Sequence, residues 1–205
     1  MTAELPPAAL HFPATHRNRA PLLEVLRRVL APPVAEVLEI ACGSGEHALY
    51  FAANLPWLRW RPTDPNAEHV ASAEAWRAHA GTPNLAPARA LDVHDPGWSQ
   101  REGRADALFV ANMFHIAPWQ ATIDLFAGAA QLLAPGGLVV SYGPYRRAGV
   151  PTAPSNEAFD ASLRSRDPRW GVRAIEEIAA IAPDFTLEEI VDMPANNLSL
   201  IWRRI

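Results

Sequence analysis

One stretch constrains the fold more than any other: Val37 to Ala53, VLEIACGSGEHALYFAA. A short apolar run leads into a turn holding Gly43 and Gly45, and apolar residues then recur at Ala48, Leu49, Ala52 and Leu55. The change from a continuous apolar run to helical spacing predicts strand, glycine turn, helix. Glycine lets a backbone turn tightly and approach a ligand closely, because it has no Cβ and accepts positive φ. A turn shaped only by packing is the plainer alternative.

Two ligand chemistries suit such a turn. Gly43, Gly45 and Ala48 satisfy G-x-G-x-x-A, and Asp64 follows at close to the roughly 20-residue spacing of a ribose-binding acid in a dinucleotide fold. A pyrophosphate, however, would rest on the amino end of the following helix, which attracts anions. Glu46 occupies that first turn and Glu39 the strand before it, so two carboxylates would face the phosphates. A cationic ligand such as S-adenosylmethionine, with its sulfonium and ammonium, matches them better.

These residues resemble the first motif of class I methyltransferases, an acidic residue followed by a glycine-rich turn, present here as Glu39-Ile-Ala-Cys-Gly43-Ser-Gly45. Ala41 replaces the usual first glycine. More narrowly, the chain resembles a methyltransferase-like family of uncharacterised activity through RNRAPLLEVL, ACGSGEH, NMFHIAPW, YGPY, SNEAFDASLRSRDPRWGVR and MPANNLSLIWRR, which together run from about Arg17 to Arg204. The resemblance implies a single three-layer α/β/α Rossmann-like methyltransferase domain over residues 1–205. Its sheet would have seven mainly parallel strands and a C-terminal antiparallel hairpin. It also implies S-adenosyl-L-methionine as cofactor, held by Glu39, Ala41, Gly43, Gly45, Asp64, Asp92 and Asn112.

The rest of the chain fits that frame. Residues 1–20 read as an irregular lead-in, and Pro21 suits the first turn of a helix ended by Pro32-Pro33. In methyltransferase-like folds such a lead-in often covers the cofactor cleft, so Arg17 and Asn18 are candidates for the methionyl carboxylate; a solvated basic link is the alternative. Leu58 to Thr63 reads as a second strand ending at Asp64, whose carboxylate can accept both ribose hydroxyls. Ala88 to Val93 reads as a third, with Asp92 near its end, where the resemblance places a partner for the adenine amino group.

Ala107 to Ala111 supplies a fourth strand, ending in Asn112-Met-Phe-His115. His115 is the candidate base for an acceptor proton, since imidazole titrates near neutrality; a histidine bonded to backbone is the plainer reading. A helix from Pro118 leads through Pro135-Gly136-Gly137 into a strand over Leu138 to Tyr142. In the loop from Gly143 to Asn156, Tyr145, with Tyr142 before it, could line an acceptor pocket or simply pack. Helices over Glu157 to Arg166 and Arg173 to Ala182 follow, then two strands, Leu187 to Met193 and Leu198 to Arg203, joined by Pro194-Ala-Asn-Asn197.

Composition narrows the chemistry. All 18 basic residues are arginine, which excludes a Schiff-base lysine, a P-loop and a tyrosine-lysine dehydrogenase pair. The net charge of −4 comes without a basic stripe, so nucleic acid and anionic membranes are not expected partners. The lone Cys42 permits no internal disulfide and fits a cytoplasmic setting; it reads as a small residue filling the turn. No apolar run reaches membrane-spanning length. His94 and Asp95 have no second cluster at ligand spacing, so no metal is expected.

The leading expectation is methyl transfer to a small-molecule acceptor. An NAD-dependent oxidoreductase and a noncatalytic adenosyl-ligand-binding protein are the alternatives. The oligomeric state is open.

Overall fold

The computed structural model describes residues 6–205. Seven strands form one sheet in the order β3-β2-β1-β4-β5-β9-β8. They are β1 (Glu36–Ile40), β2 (Arg59–Asp64), β3 (Arg89–Ala90), β4 (Ala105–Ala111), β5 (Leu133–Gly143), β8 (Phe185–Met193) and β9 (Asn197–Arg204). β1 runs parallel to β2, and β2 to β3, whereas β9 is antiparallel to both β5 and β8. A seven-stranded, mostly parallel α/β sheet with a C-terminal antiparallel hairpin is therefore present. β6 (Tyr145–Arg146) and β7 (Arg173–Ala174) pair in parallel as a separate two-stranded ribbon.

The chain divides into two compact units. The first takes the residues up to Asp92 together with Ala105–Phe109. Its helices are α1 (Pro13–Val29), α2 (Glu46–Asn54) and α3 (Ala67–Ala80). Alternation along β1 and β2 is absent because four of five and five of six residues are buried, the pattern of parallel strands covered on both faces. Phe51, Trp60 and Phe109 meet as an aromatic cluster with centroids 5.4 to 5.5 Å apart, and Leu22 and Leu26 are fully buried on the apolar stripe of α1.

The second unit comprises Val93–Arg104 and Val110–Ile205, with α4 (Trp98–Glu102), α5 (Trp119–Leu132), α6 (Pro154–Arg166) and α7 (Ile175–Ile181). Phe126 packs edge-on against Phe185 and Trp202, each at 5.4 Å. Trp98 packs against Gly128, where an added Cβ would stand 2.1 Å from its ring. No helix among the described residues is long and apolar enough to cross a membrane.

Several boundaries differ from the sequence reading. Helix α1 begins at Pro13, so residues 13–20 are helical and only part of the expected lead-in is irregular; its first five residues lie outside those described. Pro13 supplies the helix start that was assigned to Pro21. Pro21 instead lies inside the helix, and the carbonyl it leaves without an amide belongs to Arg17, on the exposed side. The third strand has two residues where six were expected. It pairs only with Thr63 and Asp64, and β2 ends at Asp64, leaving no neighbour to extend against. Part of the long loop after Gly143 is ordered by the β6–β7 ribbon, and α6 starts at Pro154.

Candidate functional site

The first unit builds its turn from backbone outward. After Ile40 the chain enters the left-handed region at Ala41 (φ 56°), Gly43 (57°) and Gly45 (83°). The Cys42 amide donates to the Thr63 carbonyl at 2.9 Å, and the Gly45 amide to the Cys42 carbonyl at 3.1 Å. Gly45 is required by packing: a Cβ there would sit 2.4 Å from Cα of Ala73 on α3. The same glycine that reads as room for a ligand is room for a helix. A Cβ on Gly43 would meet the Phe12 ring at 3.2 Å.

Three carboxyl groups surround this turn. Asp64, at the carboxyl end of β2, accepts the Gly43 amide on Oδ2 at 2.9 Å, and the Asn66 amide (2.9 Å) and His69 Nδ1 (3.1 Å) on Oδ1. It is buried and ties the turn to the start of α3. Glu39 is 1% exposed and accepts the Trp60 indole N–H at 2.6 Å. Burial pushes its carboxyl up to about 8 despite that bond, with Asp64 adding to the rise, so it is mostly protonated at neutral pH. Glu46 fills the first turn of α2; its Oε2 accepts the Phe12 amide (2.8 Å) and the Ser44 hydroxyl (2.9 Å). Burial also drives the Cys42 thiol far above its usual range, which leaves it inert and fits the space-filling role read from sequence.

The remaining expected cofactor contacts are placed differently. Arg17 is exposed on α1. Asn18 is buried and its Oδ1 lies 2.7 Å from His47 Nε2. Burial holds His47 down at about 3, with Arg19 contributing, so the neutral ring donates its N–H and commits the Asn18 oxygen. Asp92 stands half-buried in the loop after β3. Sequence reasoning did not assign Phe12, His47 or His69; the histidine that closes GSGEH was the available signal.

The second unit contains a cavity of about 330 Å³ whose wall includes Asn112, His115, Asn156, Phe159 and Asn196. None of its lining residues carries a formal charge when histidine is neutral. Asn112 holds a positive φ of 59° and donates its amide to the Tyr142 carbonyl at 2.8 Å. That bend turns the segment off β4 and places His115 against Phe159, ring centroids 5.5 Å apart. The segment is held from behind: the Gly171 amide donates to the His115 carbonyl at 3.0 Å, and the Arg173 guanidinium donates to the carbonyls of Phe114 (3.0 Å) and Ala117 (2.8 Å). Burial, with Arg173 and Arg166, holds the His115 imidazole down at about 4. It is a neutral ring at physiological pH.

Tyr142 and Tyr145, expected to line an acceptor pocket, are both buried and do not form this wall. Tyr142 lies in β5 opposite Ser199, and Tyr145 packs edge-on against Phe114 at 6.4 Å, where burial raises its phenol above the usual range. Aromatic packing takes the Tyr145 ring. The wall comes instead from α6 and the β8–β9 turn, where Ala195 and Asn196 have φ of 59° and 56°. Asn156 Nδ2 donates to the Asn196 carbonyl at 2.8 Å, and Asn196 Nδ2 to Ser155 Oγ at 3.1 Å. Positive-φ residues thus occur at two places on one cavity, as strained positions often do near ligand sites.

Solved structures share this fold. An O-methyltransferase family 2 protein from Planctomyces limnophilus DSM 3776, solved in complex with apigenin, superimposes with a TM-score of 0.76 at 19% identity, covering 94% of this chain and 58% of that one. The S-adenosylmethionine-dependent methyltransferase SibL in its apo form gives 0.72 at 20% identity, over 93% and 55%. CalO1, a methyltransferase of calicheamicin biosynthesis in its SAH-bound form, gives 0.68 at 16%, over 91% and 54%. The chain therefore spans little more than half the length of these proteins. At such identities the likeness establishes the fold. A family model also matches: residues 10–204 match the family described as "Protein of unknown function (DUF938)", and the chain belongs to that family.

Proposed function

We propose that this chain transfers a methyl group from S-adenosyl-L-methionine to an uncharged small molecule. The observation that carries this reading is the buried carboxylate of Glu46 in the first turn of α2. A dinucleotide needs that helix end for its pyrophosphate, and here an acidic side chain fills it, bonded to Ser44 and Phe12. Asp64 adds a second carboxylate beside the turn, which suits a cationic ligand, while Glu39, mostly protonated, adds a neutral polar group beneath it. The apo SibL and SAH-bound CalO1 folds and the apigenin complex support the same direction.

When bound, the cofactor would supply an electrophilic methyl: the acceptor's lone pair forms the new bond to carbon while the carbon–sulfur pair passes to sulfur. In this reading Asp64 holds the ribose hydroxyls, Gly43 and Gly45 shape the turn, with Ala41 beside them, and Asp92 contributes to the adenosyl site. Glu39 tunes the field beneath the turn from its buried position. Arg17 and Asn18 are the candidates for the methionyl carboxylate, Asn18 through its amide nitrogen, since its oxygen is already bonded to His47. His115 receives the acceptor proton on its free imidazole nitrogen, a role open to a ring kept neutral and positioned by the clamp from Gly171 and Arg173. The uncharged wall formed by Asn112, Asn156, Phe159 and Asn196 suits a neutral, partly aromatic acceptor.

Calorimetric titration with S-adenosylhomocysteine and, separately, NADH tests the cofactor. Binding of the former alone is expected, and Asp64→Ala should weaken it by about 1.5–3 kcal/mol, the range for a hydrogen bond to a charged group. Preferential binding of NADH would overturn the proposal in favour of an oxidoreductase. S-adenosylhomocysteine binding without methyl transfer to any compound in a broad acceptor screen would instead favour a noncatalytic sensor.

A further inference from the structure

We propose that His11, His16 and Glu46 form a binding site for a divalent transition metal of the zinc class, which uses the same Glu46 carboxylate as the methyl-transfer reading but is tested by metal titration, separately from cofactor binding. The two histidines flank the start of α1, one just before its Phe12 cap and one in its first turn. Their donor atoms and a carboxylate oxygen of Glu46 all lie within 4.8 Å of one another. His11 Nδ1 is 2.7 Å and His16 Nε2 is 3.7 Å from the same oxygen, Oε1, and the two rings stand 4.9 Å apart.

The carboxylate is already oriented for this role. Its other oxygen is taken by the Phe12 amide and the Ser44 hydroxyl, so Oε1 alone faces the imidazoles, in the way that outer hydrogen bonds orient metal ligands. A hydrogen bond explains His11 but not His16, which lies beyond bonding distance of Oε1 yet converges on it. Tetrahedral coordination at about 2.0–2.1 Å sets donor atoms roughly 3.3 Å apart. The side chains of His11 and His16 are 49% and 47% exposed, so both rings can rotate to that spacing while Glu46, 5% exposed, stays fixed. Two nitrogens and one oxygen favour zinc, cobalt or nickel over calcium or magnesium, which prefer all-oxygen sites. Three protein ligands leave one position for water. A metal here would fasten the Phe12 segment to the amino end of α2, directly beside Gly43.

The test uses the untagged full chain stripped with chelator, titrated with zinc sulfate by calorimetry in a noncoordinating buffer. One ion per chain is expected, and His11→Ala and His16→Ala should each weaken binding by about tenfold or more. His94→Ala, which removes the histidine paired with Asp124 at 2.6 Å, should leave the titration unchanged. Cobalt should give visible ligand-field bands in the wild type that His16→Ala loses. Circular dichroism checks that both variants, altered only at exposed rings, remain folded. Absence of zinc binding by the wild type at about 100 μM would overturn the proposal. So would an unchanged titration in His16→Ala.

Discussion

Replacing Gly45 by alanine asks whether the turn is glycine-rich for a ligand or for a helix. The new Cβ would lie 2.4 Å from Cα and 2.6 Å from Cβ of Ala73, so α2 and α3 must separate. Overpacking of this kind costs about 1–3 kcal/mol. The residue also holds φ at 83°, which adds about 1–2 kcal/mol for an L-residue. Reduced freedom of the unfolded chain returns about 0.4–1 kcal/mol. The net loss is about 2–4 kcal/mol, or roughly 5–15 °C in Tm for a chain of this size. Gly81→Ala is the control, because it shares a positive φ of 61° but has nothing within 4 Å of its new Cβ. Urea unfolding followed by circular dichroism, without ligand, measures both. If Gly45→Ala costs no more than Gly81→Ala, the packing argument fails and the glycine is there for a ligand. A second replacement, Ala73→Gly, should rescue little, because the contact with Ala73 Cα persists.

Ala41→Gly should stabilise the fold by about 0.5 kcal/mol, as relief of left-handed strain outweighs the added freedom of the unfolded chain; a loss of stability in urea would contradict this. Ala41→Val would place a β-branched residue at the same angle, so it reports on the turn before it reports on a ligand. Glu39→Gln tests the buried carboxyl. Because the folded-state value is raised from 4.5 to about 8, its contribution is fully present below pH 4.5 and lost as pH rises to 8. The stability of the glutamine variant relative to wild type should therefore climb by a few kcal/mol across that window, at about 1.4 kcal/mol per pKa unit; parallel pH–stability curves would refute it. With an acceptor in hand, His115→Gln should lower turnover by about 10²–10⁴ and leave S-adenosylhomocysteine affinity intact. The wild-type acid limb of kcat/KM should fall near pH 4, where the depressed value lies, and a limb near 6.5 would place the base elsewhere.

What the sequence made legible was the part written in local chemistry. The run ending at Ile40, the glycines and the periodicity through Leu55 announced β1, the turn and α2, and the alternation on either side of Pro194-Ala-Asn-Asn197 announced the hairpin. Asp64 could be placed at the end of β2 from spacing alone. What could not be read depended on distant partners. Nothing local says that Tyr145 packs on Phe114, that Asn18 meets His47, or that Ala73 explains Gly45. Pro21 misled because proline is a strong helix-start signal, and only packing of Leu22 and Leu26 reveals the helix continuing through it. His11 and His16 fell in a segment that reads as linker, while their common partner, Glu46, lies in the first turn of the next helix, α2.

The β8–β9 turn has a consequence for motion. Its central residues, Ala195 and Asn196, both sit at left-handed angles that alanine disfavours, and side chains at the start of α6 hold them through Asn156 and Ser155. The ladder from Met193↔Asn197 to Phe185↔Arg204 grows from that turn. A molecule that settles against Asn156 and Asn196 would oppose release of the turn, so backbone amides in the hairpin should exchange with deuterium more slowly when the cavity is filled. Occupancy could then be followed by mass spectrometry on the hairpin peptides before any reaction product is known, with the edge of the sheet serving as the reporter.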